Sequence, residues 1–426
     1  MSEFQPYFTN DGSVGLYSEK YDDIYHSASG ALTEAYEKFI YPINLDVLLM
    51  HDNIKILDIC YGIGYNSKSF LNFVYENQKK ILKKKIKLKN ISKNNFLKSY
   101  NIETIHTNNN YSRNRDNYIN PIYTDNIFNN LSITAIDNEE ILIGLSPFIK
   151  SGVKNIKNNS EIKNKHNISK YLTEKNTKNL KIKNFLNFLI LSKITQNAPN
   201  IYQNPTISTI LASAKYSPYL NSQIKGLYTS GCVTGQFNLN NLNLHNIYYR
   251  YLSNCYKNDL KRFKIRNIDF NIKIDDARNA IMSDSTLYNL IFLDAFTPQK
   301  CPCLWSYDFF KELYRVLNSD GMLLTYSSSA VVRSAMQAAG FYIGYIYNKR
   351  LNKSQGTVAA KNEALINYPL SEADLGFLNT RAGIFYRDKN LNAQNEAIIK
   401  ARNFEVQNSD KISSSKYLKM RSNNEV

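Results

Sequence analysis

Acids, cysteines and long apolar runs are all scarce in this chain of 426 residues. The 36 acids are outnumbered by 53 Lys and Arg, which leaves a net charge of +17. That surplus favours an anionic partner, nucleic acid first. Lys, Asn, Ile and Tyr are abundant together, so an AT-rich coding sequence accounts for part of it. The five cysteines are odd in number and no secretory leader precedes them, which implies reduced thiols and a cytoplasmic chain. Cys301-Pro-Cys303 is too closely spaced for an ordinary metal-binding pair and has no second pair nearby, so no metal is expected. The most apolar stretch, Phe185–Leu191, is far shorter than the roughly 20 residues of a membrane span, and no membrane partner is expected. Glycine is also short where it would matter. Gly62 and Gly64 follow an apolar run, but Cys60 stands where a first glycine might be and no third follows to complete a dinucleotide fingerprint.

What is present alternates. Lys55–Asn66 reads as a strand, a glycine turn and a helix start, and Leu131–Asp137 is a second strand ending in an acid. Asn267–Ile274, the continuously apolar Asn289–Phe296, Gly321–Tyr326, Phe341–Tyr347 and Gly356–Ala360 follow as further strands. Helical spacing fills the gaps at 305–317 and at 329–339, the latter closed by Gly340. Strands alternating with helices predict an α/β fold, a mostly parallel sheet covered on both faces.

Two Lys/Asn-rich stretches interrupt this order. After a helix expected over about 64–78, residues 79–98 carry nine lysines and no acid, and 99–130 are rich in Asn and Tyr. Residues 79–130 and 151–245 therefore read as insertions, the first as either an arm for a phosphate backbone or a solvated loop. The second holds one apolar helical candidate at 185–194. The expected organisation is an N-terminal extension or lid (1–50), a domain over 51–390 holding both insertions, and a polar tail (391–426) that frays beyond about 395.

Acids recur at the carboxyl ends of successive strands, at Asp58, Asp137, Asp276 and Asp294, where an open α/β sheet forms its ligand crevice. Any one of them is an ordinary helix cap. Four in strand order, with a glycine turn at the first, resemble the Rossmann-like class I methyltransferase fold, a seven-stranded sheet that binds S-adenosyl-L-methionine. Longer blocks are similar to the MnmC-type tRNA 5-methylaminomethyl-2-thiouridine methyltransferase family. They are Tyr21–Ser27, Ile56–Asn66, Asp275–Arg278, Phe292–Pro298 with Trp305, Gly356–Ala360 and Ala382–Asp388.

That resemblance implies methyl transfer from S-adenosyl-L-methionine to the 5-aminomethyl group of uridine 34, in the anticodon stem-loop of tRNA. A separate upstream enzyme would form that group. By the same resemblance Asp58, Gly62, Gly64 and Asn66 form the cofactor turn, Asp137 takes the ribose and Asp276 the adenine. Asp294 faces the acceptor amine as the catalytic acid/base. Tyr21, Asp22, Tyr25 and Ser27 cover the site, with Tyr21 on the cofactor side and Asp22 and Tyr25 towards the substrate. Phe296, Trp305 and Tyr386 are candidates to stack on the base, alongside Tyr61, although each equally suits core packing. His26 reads as structural, and Arg333 and Arg387 as phosphate contacts or partners of acids. Cys60 replaces a family glycine and Ala295 another. Two alternatives stay open: an aminopropyltransferase of the spermidine-synthase kind, and a tRNA-binding protein with a decayed cofactor site.

Overall fold

The computed structural model describes residues 4–18, 22–25, 30–99, 126–149, 182–198, 200–207, 257–348 and 352–424. A small antiparallel sheet opens the chain, β1 (Phe4–Phe8), β2 (Val14–Ser18) and β3 (Asp23–Ile24). Helix α1 (Ala31–Ala35) runs on through a wide turn to Ile40, and α2 (Leu45–Leu49) is capped by Asn44.

The central sheet contains β4 (Asn53–Ile59), β5 (Phe128–Asp137), β6 (Ile265–Ile274), β7 (Tyr288–Leu293), β8 (Leu317–Thr325), β9 (Tyr342–Asn348) and β10 (Lys353–Ala360). Its order is β6-β5-β4-β7-β8-β10-β9, and β10 runs antiparallel to both neighbours while the other pairings are parallel. Strand order reverses between β4 and β7, which opens a crevice at their carboxyl ends.

Alternation along the two central strands separates the core into two faces. Ile54, Ile56, Leu290 and Phe292 pack with the N-terminal helices; Leu57, Ile59, Ile291 and Leu293 pack on the other side. On the first face lie α3 (Tyr65–Ser99), α4 (Glu140–Leu145) and α5 (Asn184–Asn197). The second carries α6 (Ala277–Met282), α7 (Tyr307–Val316) and α8 (Ala330–Ala338), then α9 (Glu372–Leu378), α10 (Asn395–Gln407) and α11 (Ser414–Asn424). Helix α7 shows why such segments fold. Ser306 caps it, and Phe309, Phe310, Leu313 and Val316 form one buried stripe. Gly340 ends α8 at φ 104, a conformation that suits glycine.

Two expectations change, while the helix expected at 185–194 is present as α5. The helix expected to stop near residue 78 continues to Ser99, about 50 Å at 1.5 Å per residue. Lysine is a good helix former, and Ile81 and Lys85 are buried on the inner face. The Lys85 ammonium donates to the carbonyls of His51 and Ile127 and to Asp52. Residues 100–125 lie outside the described part. Within 151–245 only 182–198 and 200–207 are described, and there α5 is a core helix. The Phe185 ring packs tilted against Tyr75 with centroids 4.5 Å apart, and Asn197 donates to the Phe270 carbonyl of β6. The segment expected to fray from about 395 is instead helical, with Ile398 1% exposed and Tyr417 against Phe377. Among the described residues no helix is long and apolar enough to cross a membrane.

Candidate active site

β4 ends in Asp58 and Ile59, and the chain then turns through three left-handed residues, Cys60 (φ 60), Gly62 (φ 55) and Gly64 (φ 79). Each glycine has its own reason. A Cβ at Gly64 would lie 2.2 Å from the Tyr61 hydroxyl, which is itself held at 2.9 Å from the Ser146 hydroxyl. A Cβ at Gly62 would meet nothing nearer than the Cys60 carbonyl at 3.9 Å, so φ and an open approach define that position. Cys60 keeps the glycine-like conformation despite its side chain, at a strain of about 1–2 kcal/mol.

Asp58 faces the start of α3. Its Oδ2 accepts from the Ser67 amide at 3.2 Å and hydroxyl at 2.5 Å, whereas buried Oδ1 has no hydrogen-bond partner. Burial, reinforced by the charges of Asp294 and Asp137, pushes its carboxyl up to about 8. Asp137, at the end of β5, receives the Gly62 amide at 2.7 Å and the Glu139 amide at 2.9 Å. Burial raises it to about 6.

A cavity of about 460 Å³ occupies the crevice. Its walls bring together Cys60, Gly62, Asp137, Asp276, Asp294 and Phe296, all at the ends of central strands. Among the described residues six carboxylates line it, adding Asp23, Glu34 and Asp275, against two cations, Arg278 and Lys300. A chain of charge +17 therefore has an acidic cavity at its sheet switch point, which selects a cationic ligand.

Asp294 accepts from the Asn66 amide nitrogen at 2.9 Å, and burial, with the nearby Glu34 charge, raises it to about 7. Asp276 caps α6 through the Arg278 amide at 2.9 Å. Burial opposes its ionisation, but the Arg278 hydrogen bonds hold its carboxyl below the ordinary value. Arg278 also reaches fully buried Asp388 at 2.7 Å and the Ala393 carbonyl at 2.9 Å. This tie carries Ala393, Gln394 and Asn395 into the cavity wall. Across the mouth, Lys300 binds the Asp22 carbonyl and the Asp23 carboxylate, both at 3.0 Å, while Tyr25 lies 5.0 Å from Phe296.

Several expected contacts fall elsewhere. Trp305 is fully buried and donates from Nε1 to the Phe296 carbonyl at 2.8 Å, so it braces the loop instead of facing the cavity. Tyr386 packs in the second core face with Arg402 over its ring, and Tyr61 packs against Phe270. Asp22 is exposed and accepts from Tyr17; its neighbour Asp23 takes the lining place. Asp58, Gly64 and Asn66 support the wall from behind. Arg333 is buried on Thr357 and the Gly356 carbonyl, and Arg387 pairs with Asp308. Tyr21, His26 and Ser27 lie outside the described residues. Sequence reading missed Asp23, Glu34, Arg278, Tyr326 and 393–395 as lining groups. Asp23 and Arg278 sit inside quoted motifs, whereas 393–395 carry no chemical signal. The Cys301 and Cys303 sulfurs are free thiols 3.6 Å apart.

These residues suit S-adenosyl-L-methionine. The cavity is lined by Asp137, Asp276 and Asp294 at the strand ends, where a cationic ligand is favoured, and Gly62 leaves room for close approach of its backbone.

Comparison with known proteins agrees. Residues 241–362 match the family described as S-adenosyl-L-methionine-dependent methyltransferase. Over 136 residues the chain is 33% identical to the uncharacterized protein MJ0670 of Methanocaldococcus jannaschii, covering 32% of this chain and 38% of that one. It is 39% identical over 70 residues to the tRNA 5-methylaminomethyl-2-thiouridine biosynthesis bifunctional protein MnmC of Burkholderia vietnamiensis, 16% of this chain and 11% of that protein. The matched stretches thus span well under half of either relative. The crystal structure of MNMC2 from Aquifex aeolicus superposes with a TM-score of 0.50 at 18% identity, over 96% of this chain and 87% of that one, which shows a shared fold. The seven-stranded sheet is thus shared with MNMC2, and over residues 241–362 the chain is similar to S-adenosyl-L-methionine-dependent methyltransferases.

Proposed function

We propose that the chain methylates the 5-aminomethyl group of the wobble uridine of tRNA, giving 5-methylaminomethyl-(2-thio)uridine. The observation that carries this reading is Asp294, a carboxylate raised to about 7 inside an acidic cavity beside the cofactor turn. An alkyl amine has a pKa near 10 and is mostly an ammonium at neutral pH, which cannot attack. An acid group poised near 7 can hold that ammonium and accept its proton.

When bound, S-adenosyl-L-methionine supplies an electrophilic methyl. Gly62 and Asp137 would hold its adenosyl side and Asp276 the adenine, while Asp58 would fix the turn from behind through Ser67. Asn66 fixes the orientation of Asp294 through the 2.9 Å hydrogen bond. Phe296, held by Trp305 and lying against Tyr25, is placed to stack on a single-stranded base. Aligning amine and methyl contributes at best about 7–11 kcal/mol, the larger share of the acceleration. Domain roles follow from the same reading: residues 1–50 cover the site, and the lysine-rich face of α3 lies towards the phosphate backbone of tRNA. The reaction then belongs in the cytoplasm, after a reaction that installs the aminomethyl group.

Calorimetric titration with S-adenosyl-L-methionine tests the cofactor half of the proposal, and absence of binding would end it. Competition between wobble-modified tRNA and a small polyamine tests the acceptor. An aminopropyltransferase prefers the polyamine and leaves the exposed lysines of α3 without a role.

A further inference from the structure

We propose that Glu34 and Asp294 together form an anionic seat for the acceptor ammonium, so that Glu34 sets the preference for a charged amine over a neutral hydroxyl. This rests on the amine-methylation reading above. Glu34 reaches the cavity from outside the central sheet, on α1, and its position is fixed by a compact polar device. Asp11, in the β1–β2 turn, accepts from the Thr33 amide at 2.7 Å. The Ser13 hydroxyl accepts from the Ala31 amide at 3.0 Å. Gly30 enters the helix at φ 142, where a Cβ would lie 2.3 Å from the Asp11 carboxylate. One residue on from Thr33, Glu34 lines the same cavity as Asp294.

Their proximity is also electrostatic, since after burial the Glu34 charge is the leading cause of the raised Asp294 carboxyl. Lys38 pairs with Glu34 and lies 5.3 Å from the Tyr326 ring centroid. The Tyr326 hydroxyl in turn binds the Ala295 carbonyl at 2.9 Å, next to Asp294. With Asp294 ionised, Glu34, Asp294 and Lys38 together leave a net single negative charge at the acceptor end, which one incoming ammonium neutralises. A hydroxymethyl group cannot do so.

The test uses the full chain with S-adenosylhomocysteine bound and measures affinity for the nucleosides 5-aminomethyluridine and 5-hydroxymethyluridine. Charge-assisted hydrogen bonds of this kind correspond to roughly 10- to 100-fold in affinity, so the wild type should prefer the amine by a factor in that range. Glu34→Gln should remove most of that preference while its melting temperature and cofactor affinity stay close to wild type. Lys38→Gln removes the cation paired with Glu34 and should tighten amine binding. The opposite signs separate an ammonium seat from a structural ion pair, which both substitutions would weaken alike. No amine preference in the wild type, an unchanged preference in Glu34→Gln, or equal losses in both variants would overturn the seat. A wild type that binds the amine selectively but does not methylate tRNA would leave the seat intact and overturn the proposed function instead.

Discussion

Replacing Asp294 by Asn should separate activity from stability in opposite directions. A half-buried carboxyl raised to about 7 from 3.8 binds its proton more tightly in the folded than in the unfolded chain. Between about pH 4 and 7 the unfolded chain ionises first. Native stability is therefore lost as pH rises through that window, and the full cost is present above pH 7. Each tenfold difference in proton affinity between the two states corresponds to about 1.4 kcal/mol, and with allowance for partial exposure the cost at pH 8 is of order 2–4 kcal/mol. The Asn variant avoids it, so it should be more stable than wild type at pH 8 and indistinguishable at pH 4. Its kcat/KM should fall by about 10²–10⁴, the range for removing a general base. Wild-type kcat/KM should rise roughly tenfold from pH 6 to 8 as the group ionises, and the residual activity of the variant should lack that limb. Denaturant unfolding at both pH values and a pH–rate profile measure these effects. A variant within twofold of wild-type activity, or no stability difference between the two pH values, would refute the reasoning.

Gly64→Ala should cost at least about 2 kcal/mol and abolish cofactor binding, because both φ 79 and the Tyr61 hydroxyl oppose a Cβ; Cys60→Gly, which relaxes a strained residue, should shift stability by under about 1 kcal/mol and keep binding, with melting curves and calorimetry as readouts. Arg278→Met leaves the buried Asp388 carboxylate without its cation and should cost about 3–5 kcal/mol in denaturant unfolding. Removing residues 391–426 should abolish cofactor binding by calorimetry, since Ala393–Asn395 wall the cavity and Ile398 anchors them. Neutralising exposed Lys79, Lys80, Lys83 and Lys87 should flatten the salt dependence of tRNA binding by about 0.7–0.9 in log–log slope for each phosphate that a lysine had neutralised, while cofactor affinity is unchanged.

The central sheet was legible because period-2 alternation and buried apolar runs mark β4 and β7 directly, and the strand-end acids follow from them. Side-chain direction was not legible. Trp305 lies beside a strand-end motif, yet its indole turns into the core to hold the Phe296 carbonyl, which no spacing reveals. The lysines of 79–98 resembled a loop because charge outweighed the inward pair Ile81 and Lys85, spaced four apart as helix packing requires. Glu34 was hidden for a different reason. Its place depends on the Asp11–Ser13 turn, a contact between two elements that local patterns do not join. Polar composition likewise concealed 393–395, whose position comes from the Arg278–Asp388 tie.

The most direct measurement incubates the full chain with methyl-labelled S-adenosyl-L-methionine and tRNA bearing 5-aminomethyluridine at the wobble position, then analyses the nucleosides. The account predicts label in 5-methylaminomethyluridine and none when the wobble position carries unmodified uridine. Label in another nucleoside, or none in tRNA despite cofactor binding, would contradict it.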